Sequence, residues 1–198
     1  IYPPFGNFST AHAPEYLIDQ YWTTSTWTQL FGAKLSDEIE AFLSPSVESA
    51  VVQYIQQCEY NGDHYRQKAM SFDRRMQFTV AAIETLYLLD RLDAIQYRAS
   101  IENLIMSEYS EGTWDSSDWN LRPFAGTQSA IDHLCTRTAM RLGLVNETIA
   151  AEIASVVNTR IQYSDLWALS QDVALLSLLS TEFSVSFDAI DSSHVLNA

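Results

Sequence analysis

The stretch FTVAAIETLYLLDRL, residues 78–92, is apolar almost all round, with Ile83, Leu86 and Leu89 as its strongest stripe at helical spacing. A helix that is apolar on every side has to be buried on every side. Residues 97–106 (YRASIENLIM) follow with a different pattern. Ile101, Leu104 and Ile105 make one stripe, while Arg98, Ser100, Glu102 and Asn103 face away. That pattern predicts a surface helix packed by a single face. Together the two segments predict an inner helix followed by an outer one.

The pairing recurs in both directions along the chain. Downstream, SAIDHLCTRTAMRLGLV sets Ile131, Leu134, Cys135, Ala139 and Leu142 at helical spacing. NETIAAEIASVV then carries Ile149, Ile153, Val156 and Val157 on one face, with Asn146 placed as an N-cap. The hinge Arg91-Leu92-Asp93-Ala94-Ile95 corresponds to Arg141-Leu142-Gly143-Leu144-Val145, 50 positions on. Upstream, SVESAVVQYIQQ repeats the single stripe through Val47, Val51, Val52 and Ile55, after a proline at the first turn, Pro45. The outer helices also end alike, Glu59-Tyr60-Asn61-Gly62-Asp63-His64-Tyr65 resembling Glu108-Tyr109-Ser110-Glu111-Gly112-Thr113-Trp114. A third inner helix begins at Leu166 (LWALSQDVALLSLLS), and FDAIDSSHVL opens its outer partner. The earliest pair starts around residues 16–31, with a short extra helix near 36–42. A fixed period of this size is the mark of stacked repeats. The reading is an all-α chain of α/α hairpins, about four of them with a period of about 50, forming a partial or complete ring. It is read as one domain over 1–198, with an extended segment at 1–14 and repeats near 15–65, 66–114, 115–163 and 164–198.

Composition narrows the functional classes. With 47% hydrophobic and 18% charged residues the chain has material for a continuous core. No apolar run approaches the roughly 18–20 residues that span a bilayer. Acidic residues outnumber basic ones 25 to 11, and the formal charge of −14 repels phosphate backbones and anionic lipid. Nucleic acid and membrane insertion are therefore not expected. The chain opens Ile1-Tyr2-Pro3-Pro4 without a Met, which reads as a processed form or a fragment, and two sequons, Asn7-Phe8-Ser9 and Asn146-Glu147-Thr148, hint at an extracellular or secreted protein. Cys58 and Cys135 are expected to be buried free thiols rather than a disulfide, since they fall in different repeats.

The stretch 47–114 also carries a family resemblance. VVQYIQQCEYNGDHY, a loop, FTVAAIETLYLLDRLDAI and then SIENLIMSEYSEGTW resemble the prenyltransferase and squalene-cyclase repeat. Gly112-Thr113-Trp114 sits where the glycine-aromatic element of that repeat belongs, and Gly62 with Tyr65 is a looser copy. The resemblance spans roughly residues 45–180 and implies an α/α-toroid architecture with inner helices around a central cavity. It is evidence about fold, and chemistry has to be read from the residues.

The chemistries of that family do not transfer. The zinc site of protein prenyltransferases needs an Asp-X-Cys pair and a distant His, whereas Asp132-His133-Leu134-Cys135 has the wrong spacing and His194 falls in an outer helix. No metal or other cofactor is expected. No DXDD motif of terpene cyclases occurs; Asp115-Ser116-Ser117-Asp118, framed by Trp114 and Trp119, is the nearest carboxylate-aromatic cluster, and it also reads as turn chemistry. Asp115 and Asp118 are thus the catalytic candidates. Arg74, Arg75, Trp114, Trp119, His133 and Trp167, in or near the loops leading into inner helices, are the binding candidates. The leading expectation is a non-catalytic extracellular binding or assembly module. Its partner is a protein or a second copy meeting the repeat ends, or an apolar small molecule. The alternative is an enzyme acting on an isoprenoid or carbohydrate in an aromatic-lined cavity. An arc of about four hairpins also leaves inner-helix flanks such as 168–179 to be covered, and the apolar residues of 1–15, or else self-association through the repeat ends, are expected to supply that cover.

Overall fold

A computed structural model describes residues 45–65, 75–117, 119, 127–164, 166–183 and 185. The expected first helical pair, the short helix near 36–42, the N-terminal cover and the outer helix at FDAIDSSHVL lie outside the described residues. Contacts divide the chain into two compact units, Ile1–Arg98 and Ala99–Ala198.

In the first unit α1 spans Pro45–Cys58 and runs into a hairpin of β1 (Glu59–Tyr60) and β2 (His64–Tyr65). Helix α2 covers Arg75–Leu88 and is followed by a 3-10 turn at Leu92–Ala94. On α2, Met76, Thr79 and every residue from Val80 to Leu86 are buried. Ile83 and Leu86 lose all their exposure, and burial of each contributes roughly 1.5–3 kcal/mol. The hydroxyl of Thr85 donates back to the Ala81 carbonyl at 2.8 Å, which lets a polar side chain sit inside this layer.

In the second unit α3 (Arg98–Ser107) leads to a hairpin of β3 (Tyr109–Ser110) and β4 (Thr113–Trp114). Three helices follow, α4 at Thr127–Arg141, α5 at Glu147–Ile161 and α6 at Leu166–Phe183, with α4 and α5 both packed on α6. Helix α3 buries only Ile101 and Ile105. The expected contrast between an all-round buried helix and a one-face helix is therefore present. Three details differ from the sequence reading. Tyr87, inside the run expected to be buried on every side, is exposed. Leu89 is half-buried rather than in the core, because α2 ends at Leu88, and Glu102 is half-buried rather than turned to water. Asn146 caps α5 as its position requires, its Oδ1 accepting from the Ile149 N–H at 3.0 Å. Cys58 and Cys135 are both buried and are not joined in a disulfide, as expected. On α6, Leu175, Leu176 and Leu179 are buried, while Val173, Ser177 and Thr181 face outward.

The two units share local geometry. Each hairpin turns on an X-Gly pair with two successive positive φ angles, 53° and 75° at Asn61-Gly62, 50° and 85° at Glu111-Gly112. That is the requirement of a type I′ turn. In each, the last hairpin residue is a buried aromatic whose backbone N–H donates to a side chain of the following helix. Tyr65 donates to Thr79 Oγ1 at 3.1 Å, and Trp114 donates to Asp132 Oδ1 at 3.0 Å. Helices α2 and α4 also end alike. Asp90 and Gly143 take left-handed φ angles of 53° and 75°. Behind them Arg91 N–H reaches the Leu86 carbonyl and Leu144 N–H that of Ala139, closing a Schellman motif in both.

These equivalences correct the sequence alignment of the hinge. Asp90 matches Gly143, 53 residues on, rather than Arg91 matching Arg141 at 50. The hairpins remain 49 apart (Tyr65 to Trp114), so the loop into α4 is four residues longer than the loop into α2. The chain from Asp90 to the start of α3 is longer than that from Gly143 to α5 by the same four, and it contains the 3-10 turn. Two compensating insertions produce the apparent period of 50.

Candidate functional site

The densest polar constellation among the described residues is built around Arg160 in the last turn of α5. Its Nε and Nη2 form a fork on Asp172 of α6, at 3.3 and 2.6 Å, and its Nη1 reaches Asp132 of α4 at 2.5 Å. Asp132 and Asp172 are fully buried, while the Arg160 side chain keeps 22% of its surface exposed. Asp132 Oδ1 further accepts from Thr113 Oγ1, Trp114 N–H and Gln128 Nε2. Asp172 Oδ2 accepts the Ser129 and Ser164 hydroxyls. Each carboxylate thus receives four hydrogen bonds, which fills its acceptor sites. Burial works against the charge on Arg160, but its hydrogen bonds to Asp172 and Asp132 prevail and hold its pKa above the ordinary value. The constellation ties hairpin β3–β4, α4, α5 and α6 together, and its chemistry is that of a clasp.

Next along α4, His133 points to a different neighbour. Its Nδ1 lies 2.8 Å from Gln171 Oε1, so Nδ1–H donates and Nε2 is the unprotonated nitrogen. Burial first, then the charges of Arg137 and Arg141, push the imidazole down to about 4 despite the hydrogen bond it donates to Gln171. At neutral pH it is an uncharged base. The amide Nε2 of Gln171, also buried, has no hydrogen-bond partner among the described residues.

At the hairpin the Tyr109 ring stands 5.2 Å from that of Trp114, tilted by 60°. Its hydroxyl donates to Glu152 at 2.7 Å, and burial together with this carboxylate raises the phenol pKa. Farther along α5, an open groove of about 460 Å³ runs over Ala151, Ala154, Ser155, Asn158, Thr159 and Gln162, with Val185 at its edge.

The residues expected from sequence are dispersed. Asp115 is exposed, and its Oδ1 accepts the Ser117 N–H at 2.7 Å, the turn arrangement its neighbours suggested. Trp114 and Trp119 are buried, and the Trp114 indole donates to Thr136 Oγ1 at 3.0 Å. His133 is buried as described, and Arg75 is exposed at the start of α2. Arg74, Asp118 and the Trp167 side chain lie outside the described residues. Trp114 bonds to Asp132 and Thr136 of α4, whereas His133, on α4 itself, bonds to Gln171 of α6. Among the described residues no three His, Cys, Asp or Glu side chains converge as metal ligands, and no helix is long and apolar enough to cross a membrane. Sequence reading passed over Arg160, Asp172, Gln128 and Gln171. The available signal was Asp172 as the lone charged residue of LWALSQDVALLSLLS.

Comparison of the chain with family models, with curated proteins and with solved structures yields no match.

Proposed function

We propose that this chain is a non-catalytic binding or assembly module working outside the cell, built on α/α repeats that resemble those of the prenyltransferase and squalene-cyclase family. The observation that carries the reading is the state of Asp132 and Asp172. A catalytic carboxylate must keep an oxygen within reach of the reacting group. Each of these carboxylates instead accepts four hydrogen bonds and faces Arg160. Asp115, the described one of the two acids expected from sequence, is a solvated turn residue. What the second unit offers a partner is an open groove of small side chains. The repeat reading draws support from the shared hairpin turn, the shared hairpin-to-helix hydrogen bond and the shared Schellman ending. Four such hairpins forming an arc, with a protein partner, a second copy or an apolar small molecule at its surface, complete the proposal.

The second reading, an enzyme acting on an isoprenoid or carbohydrate, is favoured by one observation. Helices α2 and α4 bury Glu84 and His133, two titratable groups that a packing helix does not need. One experiment separates the two. The purified chain and its Glu84→Gln and His133→Gln variants are incubated with isoprenyl diphosphates and with oligosaccharides, and products are followed by mass spectrometry. The module reading expects no turnover by any of them. Turnover by the parent chain that either substitution abolishes overturns it.

A further inference from the structure

We propose that Asn146 is an N-glycan acceptor, modified at its side-chain amide within Asn146-Glu147-Thr148. The inference rests on the extracellular reading above and adds to it a covalent site. The motif supplies the amide and the hydroxyl two residues later that an oligosaccharyl transferase reads, with no proline between them. The structure adds three observations that the motif alone does not contain. Asn146, Glu147 and Thr148 are all exposed. Gly143, three residues earlier, is exposed as well, and a Cβ placed on it meets nothing within 4 Å among the described residues. The cap uses only one end of the amide: Oδ1 accepts the Ile149 N–H at 3.0 Å, with Asn146 in an extended conformation (φ −117°, ψ 179°).

The two ends of the amide therefore serve separate purposes. In the transfer, C1 of a lipid-diphosphate-linked oligosaccharide forms a bond to Nδ2. The C1–oxygen bond to the diphosphate breaks, the lipid diphosphate leaves with that electron pair, and Nδ2 gives up one proton to a base of the transferase. Oδ1 stays a carbonyl oxygen throughout and goes on accepting from Ile149. The sugar projects from the first turn of α5 without loss of its cap.

The test passes the full chain through the secretory pathway of cultured eukaryotic cells and treats the product with peptide-N-glycosidase. That enzyme converts a glycosylated Asn into Asp, which peptide mass spectrometry reads at position 146. We expect the conversion in the parent chain. It should be absent from Asn146→Ser and Thr148→Ala, both of which retain a capping acceptor and should keep the parent's melting temperature. A secreted parent chain with unmodified Asn146 overturns the proposal. Locating the chain in its own cells tests the extracellular reading separately, so the two failures are distinguishable.

Discussion

Gly112 stands directly against the backbone of α5 at Glu152: a Cβ built on the glycine would lie 2.6 Å from the Glu152 carbonyl oxygen. Cγ2 of Val156 is nearly as close, at 2.7 Å, and the φ of +85° is itself strained for any other residue. Backbone cannot swing aside as a flexible side chain can. Gly112→Ala should therefore cost roughly 2–4 kcal/mol, the sum of left-handed strain and overpacking. Gly62 is the control at the matching turn. Its φ is +75°, but the nearest atoms belong to the exposed Tyr97 ring, at 3.2 Å, which has room to move. Gly62→Ala should cost only the backbone term of about 1–2 kcal/mol. Urea unfolding of the two variants checks this, and equal losses would contradict the close approach.

Arg160 holds two buried carboxylates at once, so removing it should be among the most damaging changes on α5. Arg160→Met leaves Asp132 and Asp172 buried without a cation, at a cost of about 3–5 kcal/mol. Arg160→Lys keeps the charge but loses the fork on Asp172 and should fall between the two. Adding Asp132→Asn and Asp172→Asn to Arg160→Met should recover part of the loss. Denaturant melts of this series test the clasp, and a recovery of nothing would show that the carboxylates are not what Arg160 neutralises.

His133 gives the protein a pH response of definite sign. Its ordinary value of 6.5 applies to the unfolded chain, whereas in the fold burial and the charges of Arg137 and Arg141 bring it down to about 4. Above 6.5 both states are neutral and the residue contributes nothing to pH dependence. Between 6.5 and about 4 the unfolded chain takes up a proton that the folded one refuses. Stability should fall there as pH falls, by at most about 1.4 kcal/mol per unit for this proton. His133→Gln should flatten that part of the profile. An unchanged slope in the variant would assign the response to other groups.

Much of the fold was legible because burial periodicity is local. The all-round apolar run at 78–92 and the single stripe at 97–106 announced a buried helix and a half-buried one, and Asn146 announced its cap. The end of α2 was harder. A Schellman motif is set by backbone conformation, and Asp90 carries no glycine to mark it, so the matching hinge was placed three residues late. The clasp was less legible still. Asp132, Arg160 and Asp172 lie on three helices, and nothing in the spacing of one helix tells which residue of another it will meet. The same holds for Trp114. Its glycine-aromatic context was readable as a loop, but the N–H it donates to Asp132 depends on how hairpin and helix come together.

The last prediction uses the Schellman pair as an internal comparison. Asp90 and Gly143 occupy the same position after α2 and α4, with φ angles of 53° and 75°. Both are exposed, and Gly143 has no neighbour within 4 Å of a built Cβ, so the difference between them is conformational rather than one of packing. An L-residue with a Cβ is disfavoured in this region, Asp less than most because its short side chain tolerates it. Asp90→Gly should accordingly raise stability by about 0.5–1 kcal/mol, the left-handed penalty less the extra freedom glycine has when unfolded. Gly143→Ala should lower it by about 1–2 kcal/mol. The Arg91–Asp93 contact at 3.2 Å does not involve Asp90 and should persist in the variant. Chemical denaturation with unchanged m-values is the measurement. A destabilised Asp90→Gly variant would mean that the aspartate side chain itself secures the turn, and the equivalence of the two helix ends would then hold for their backbones alone.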